Sequence, residues 1–225
     1  MTEQNKFDIN SVIATAKAVI TNPKAYYETM PKTGGFANPV IFIVAMAVIM
    51  GIITAILSLF SSPVGMMASG FAAIIILPIG ALIGAFIGAG ILFIIWKLMG
   101  STENYETAFR CLAAITAIYP IIAILSIIPY ISTIVGVVWA TYLLIEASVA
   151  VHGRDRKTAQ IVFGIIGIVL LISNVSSEYN ARKMMNKWAD MNTRMEDYSE
   201  LPPDEMGKRM GEFLKGMEQG MGESQ

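Results

Sequence analysis

Between residues 39 and 175 the chain is almost free of charge, whereas both ends are polar. No other feature restricts its fold as much. A hydrocarbon core about 30 Å thick is crossed by about 20 apolar helical residues. Five stretches meet that length: 39–60, about 71–96, 108–128, 131–151 and about 158–175. These runs are long and do not alternate, so a lipid-facing barrel of short period-two strands is the poorer reading. Pro78 and Pro120 fall inside the second and third stretches. Each removes one intrahelical hydrogen bond, which neighbouring helices partly replace. The split between stretches three and four rests on Pro129 and Tyr130 as a tight turn. The expectation is an all-α integral membrane protein with a five-helix bundle at residues 39–175. N-terminal interfacial amphipathic helices (1–38) precede the bundle, and a methionine-rich, charged, helical C-terminal tail (176–225) follows it.

Charged residues make up 15% of the chain, against about 25% in soluble domains. That excludes a soluble single-domain enzyme and a disordered chain. A net charge of −1 leaves no basic footprint for nucleic acid. Cys111 is the sole cysteine and His152 the sole histidine. One chain therefore offers no internal disulfide, no CxxC pair and no HExxH zinc site. No GxxxxGK[ST] loop occurs. The residues point to no cofactor and no metal, and no nucleophile–base constellation speaks for an enzyme.

Lysine and arginine mark alternate connections. Lys6, Lys17, Lys24 and Lys32 precede the first span, Lys97 and Arg110 lie between the second and third, and Arg154, Arg156 and Lys157 follow the fourth. The two remaining connections carry none. The positive-inside rule then puts the N-terminus in the cytoplasm and the C-terminus outside, across the cell (inner, cytoplasmic) membrane. The tail opposes this with seven basic residues, but it also holds ten acidic ones, and a long tail weighs less than short loops. The first apolar run is long enough to stay as an anchor, so no cleaved signal peptide is expected. Ahead of it, Ile9, Val12, Ile13, Ala16, Val19 and Ile20 recur at helical spacing. Asn22-Pro23 then places a capping residue before a first-turn proline. Such a segment lies along the membrane surface or packs as a cap on the loops.

Three sets of residues share an order and spacing with a known family. The first is Thr21-Asn22-Pro23-Lys24-Ala25-Tyr26-Tyr27 with Gly34-Gly35 and Asn38-Pro39. The second runs from Gly100 through Tyr105-Glu106-Thr107-Ala108-Phe109 to Tyr119-Pro120 and Ile128-Pro129. The third is Trp139, then His152 and the basic run from Arg154 to Lys157. Over roughly residues 9–175 the chain resembles the Yip domain family, multi-span membrane proteins first known as interactors of Rab-type GTPases. The resemblance implies a five-span helical bundle with a cytoplasmic N-terminus. With thirty-eight residues before the first span, the chain is similar to the prokaryotic branch, from which neither a common activity nor a GTPase contact is carried over.

Gly80, Gly84 and Gly88 lie four apart with Ala81, Ala85 and Ala89 alongside. In an apolar run without a cation they read as a close-packing face for another helix, of this chain or of a second copy. Glu146 is the one acidic residue well inside a span. Five residues from the helix end, roughly 7.5 Å at helical rise, it is within reach of Arg110 or of the 154–157 loop. A charge at bilayer depth costs roughly 2.5–3.5 kcal/mol on the insertion scale. Glu146 is therefore either a salt bridge or snorkelling group, or part of a proton or ion relay. Arg110 reads as an interfacial anchor. In the tail, Met184, Trp188, Met191, Met195 and Tyr198 step by four and three, which predicts helix to near Tyr198. Beyond Pro202-Pro203, Met206, Met210, Phe213 and Met217 form a second stripe. Glycines there weaken a helix by roughly 0.5–1 kcal/mol each, so this segment is predicted to be helical only when docked. Its methionines suit a partner groove, with a Cu(I) thioether site as the alternative. The expected function is a non-enzymatic membrane-organising or partner-binding adaptor; the alternative is a small-solute or ion transporter using Glu146. Expected partners are the lipid bilayer, an unidentified protein and a second copy of the chain, without nucleic acid.

Overall fold

A computed structural model describes residues 8–61 and 64–199, together with 205, 207, 208 and 211. The chain divides into two compact units, Met1–Val175 and Ser176–Gln225. Among the described residues the regular structure is entirely helical.

Short polar side chains start the first two helices. The Asp8 carboxylate accepts from Asn10 N at 3.0 Å and opens α1 (Ile9–Thr21). Asn22 accepts from Ala25 N at 3.2 Å and opens α2 (Pro23–Thr29), where Pro23 gives up an N–H that has no helical partner anyway. α1 buries Val12 and Val19 and leaves Ile9 and Ile13 exposed. The connection to the first span turns at Gly34 and Gly35, with φ of 121° and 81° that a side chain would resist.

The spans follow as α3 (Ala37–Ser61), α4 (Val64–Leu98), a broken third span, α7 (Ile131–Ala150) and α8 (Arg156–Ser199). The third span is α5 (Tyr105–Ile115), one 3₁₀ turn (Thr116–Ile118) and α6 (Tyr119–Leu125). Pro120 explains the break, because it has no N–H for Thr116 O and its ring crowds that carbonyl. Pro78 stays inside an unbroken α4. Among the described residues, five helical stretches are long and apolar enough to cross a membrane: Ala37–Phe60, Gly70–Leu98, Tyr105–Leu125, Ile131–Ala150 and Arg156–Met191. The turn between spans three and four falls at residues 126–130, with Tyr130 left-handed at φ 65°.

One boundary differs from the sequence expectation. The third span ends at Leu125 and not at 128, since the helix closes on Ser126. The fifth stretch, the shortest apolar run, belongs to a helix of 44 residues that passes Val175 and ends at Ser199, one residue beyond the Tyr198 that the tail spacing predicts. Apolar content stops near Val175, but the alanine, lysine, arginine and methionine that follow are good helix formers.

The interior centres on Tyr27, Ile43, Met46, Trp96, Phe109, Leu143 and Phe163, all almost fully buried. α3 and α4 approach at Gly51, where a Cβ would lie 2.8 Å from Ile74 Cα. The outer side of α4 shows Ile75, Ile76, Ile79, Ile83, Ile87 and Ile91 to its surroundings, a surface that only lipid or another apolar partner covers at no cost.

Candidate functional site

Three connections meet at one end of the bundle, between α2 and α3, between α4 and α5, and between α7 and α8. α4 closes on Gly100, at φ 87°, with Gly100 N bonded to Lys97 O and Ser101 N to Trp96 O. That turn aims Ser101 inward. Its Oγ lies 2.8 Å from His152 Nδ1 and accepts from Glu103 N at 3.2 Å. The other ring nitrogen, Nε2, lies 3.9 Å from Cys111 Sγ. The imidazole stacks on Trp96 with centroids 3.9 Å apart, and the Trp96 indole donates to Ser148 Oγ at 2.8 Å. Burial pushes His152 down from 6.5 to about 4, so it is neutral at physiological pH.

Lys32 ties the connections together. Its ammonium bonds Glu103 Oε1 at 2.7 Å and Val151 O at 2.9 Å, and its carbonyl accepts from Thr107 Oγ1. Arg154 spans from the last connection to Met99 O at 2.9 Å. Tyr27 reaches from α2 to Cys111 O, at 3.1 Å, which pins the N-terminal helices to the third span. Chemically this is a locked platform. Cys111 is fully buried, and its Sγ lies 3.9 Å from Nε2 of the neutral imidazole.

Glu146 and Arg110, the two intramembrane charges singled out in the sequence, are not brought together. Glu146 is 4% exposed and held by Arg156 through two bonds, 2.8 Å to Nη1 and 2.9 Å to Nη2. Arg110 is buried against Glu106, 3.1 Å from Nε, and donates to Gly35 O. Glu106 also accepts from Gly35 N at 2.7 Å, so the glycine turn is clamped from both sides. Arg110 further lines a cavity of about 500 Å³ between α1, the start of α3 and α5.

Of the glycine face, Gly80 and Gly84 look into open space, and Gly88 alone meets a neighbour, Leu112, at 3.3 Å. The buried side of α4 is instead Ala85 and Ala89, packed with Ile43, Phe109 and Ala113. In the tail unit, Met184 and Trp188 are exposed and Met191 is half-buried. The Met195 side chain and Met206, Met210, Phe213 and Met217 lie outside the described residues. Among the described residues no three histidine, cysteine or carboxylate side chains gather as a metal site. Sequence reasoning named Cys111 and His152 separately and missed their junction with Trp96, Ser101, Glu103 and Lys32. The one available signal was that Lys32, Ser101, Glu103 and His152 fall in alternate connections, which lie at one end of a bundle of antiparallel spans.

The family model described as the Yip1 domain matches residues 17–176. No curated protein and no solved structure matches the chain.

Proposed function

The chain belongs to the Yip1 domain family, and on that premise we propose that it is a non-enzymatic multi-pass adaptor that presents its polar platform to a protein partner. The observation that supports this most directly is the bidentate Glu146–Arg156 pair. A carboxylate already satisfied by a guanidinium is a poor proton or ion carrier, because moving its charge breaks two strong bonds. Glu146 is also absent from the lining of the Arg110 cavity. The platform is cytoplasmic in this reading, since Lys32, Lys97, Arg110, Arg154, Arg156 and Lys157 collect around it, while the tail lies outside. Ile9 and Ile13, exposed one helical turn apart on α1, rest in the interfacial layer. Lys24 and Glu28, both largely exposed on α2, offer a charged edge to a partner.

Reconstituted into liposomes, the protein should pass no proton or ion flux above that of empty vesicles. Glu146→Gln should leave that unchanged while costing about 1 kcal/mol of stability, as a weakened charge-assisted pair does. A photocrosslinker placed at Lys24 should give a discrete protein adduct in cells. A flux that Glu146→Gln abolishes would overturn the adaptor reading in favour of the transporter.

A further inference from the structure

The cavity beside Arg110 carries chemistry that the platform does not use. Arg110 is only 8% exposed. Nε is committed to Glu106 and Nη2 to Gly35 O, so Nη1 points two N–H donors at no partner among the described residues. Tyr26 and Asn38 also line the cavity, and neither side chain has a hydrogen-bond partner there. The free Nη1 of Arg110, with half-buried Tyr26 and exposed Asn38 beside it, offers donors to an anionic oxygen in that space. On the rim stands Asp8, whose carboxylate uses one oxygen to cap α1. The inner wall is apolar, with Ile41 and Phe42 of α3.

The depth fits as well. Phe42 and Arg110 each lie five residues inside their helices, roughly 7.5 Å at helical rise. A headgroup layer of about 5–7.5 Å flanks a hydrocarbon core of about 30 Å on each side, so both residues stand close to the boundary between the two. A purely anionic ligand would face Asp8 and Glu106 against one arginine. A zwitterion meets a donor cluster inside and a carboxylate outside.

We propose that this cavity binds the headgroup of a zwitterionic phospholipid, with the phosphate toward Arg110, Tyr26 and Asn38, the ammonium toward Asp8, and the start of the acyl region against Ile41 and Phe42. The volume falls within the range of about 300–1,000 Å³ usual for small-ligand sites. Bound there, the lipid fastens α1 to the first and third spans.

The test uses full-length protein, delipidated in mild detergent and titrated with phosphatidylethanolamine, phosphatidylglycerol or water-soluble phosphorylethanolamine while Tm is read. Phosphatidylethanolamine should raise Tm saturably, with half-saturation at least about fivefold below that of phosphatidylglycerol. Phosphorylethanolamine should do nothing at matched concentration. Arg110 also holds the glycine turn, so Arg110→Gln risks misfolding, and two other variants decide. Asp8→Asn keeps an equally good helix cap and should bring the two lipids within about twofold of each other, since only the charge is gone. Ser11→Trp fills the rim and should abolish the rise while leaving the lipid-free Tm in place. Equal response to both lipids in the wild type, full saturation of Ser11→Trp, or saturation by phosphorylethanolamine at the same concentration would each overturn the proposal, the last in favour of a soluble phosphate ligand.

Discussion

His152 is held neutral by its burial, and the groups around it divide: Glu103 favours the charged form, while Lys32, Arg154 and Lys97 oppose it. Its imidazole titrates near 4 when folded and near 6.5 when unfolded. Between those values only the unfolded chain takes up the proton, so stability is complete above pH 6.5 and is lost as pH falls toward 4. At about 1.36 kcal/mol per pKa unit, that window is worth about 3 kcal/mol. Thermal unfolding in detergent from pH 7.5 to 4.5 should therefore fall more steeply for the wild type than for His152→Gln, whose amide does not titrate. Parallel curves would mean that His152 is not the group responsible. The sequence showed a lone histidine and a lone cysteine. Nothing in their spacing of 41 residues announces that Nε2 and Sγ lie 3.9 Å apart; that follows from how α5 and the end of α7 meet.

At the scale of the element, regular spacing does not say which neighbour a helix face meets. Gly80 and Gly84 stand one turn apart and face away from the bundle, whereas Gly51, with no glycine at four residues on either side, sits where α3 and α4 touch backbone to backbone. Gly51→Leu should cost at least about 1–3 kcal/mol, because a side chain there must push α4 aside. Gly84→Leu should leave the unfolding temperature of the single chain unchanged. Size-exclusion chromatography with light scattering then tests the remaining role of that face: a Gly84→Leu protein that loses a dimer present in the wild type would assign it to a second copy. The same logic applies to the prolines. Pro120 breaks its span and Pro78 does not, so the residue type alone did not decide the outcome.

Across the whole molecule, the three connections that carry the bundle's positive charge are joined by Lys32, Ser101 and Arg154, and that end is taken as cytoplasmic. In a Cys111→Ser background, Ser62→Cys should label with an impermeant thiol reagent on intact cells, and Thr102→Cys only after lysis. The reverse pattern would invert the topology. The number of spans, their helical nature, the all-α class and the capping of α2 were legible in the chain itself, because length, apolar content and local side-chain chemistry act over neighbouring residues. The extension of the last helix to Ser199 was legible for the same reason, from the spacing of Met184, Trp188, Met191, Met195 and Tyr198. The tertiary structure decided which partner Glu146 takes, that Arg110 lines a cavity, and that Trp96, Ser101, Cys111 and His152 share one buried cluster. Hydrophobic burial is non-directional and says only that a helix face is covered. Which face meets which depends on close fits such as Gly51 on Ile74 and on hydrogen bonds such as Lys32 to Glu103, formed between residues some twenty to seventy positions apart.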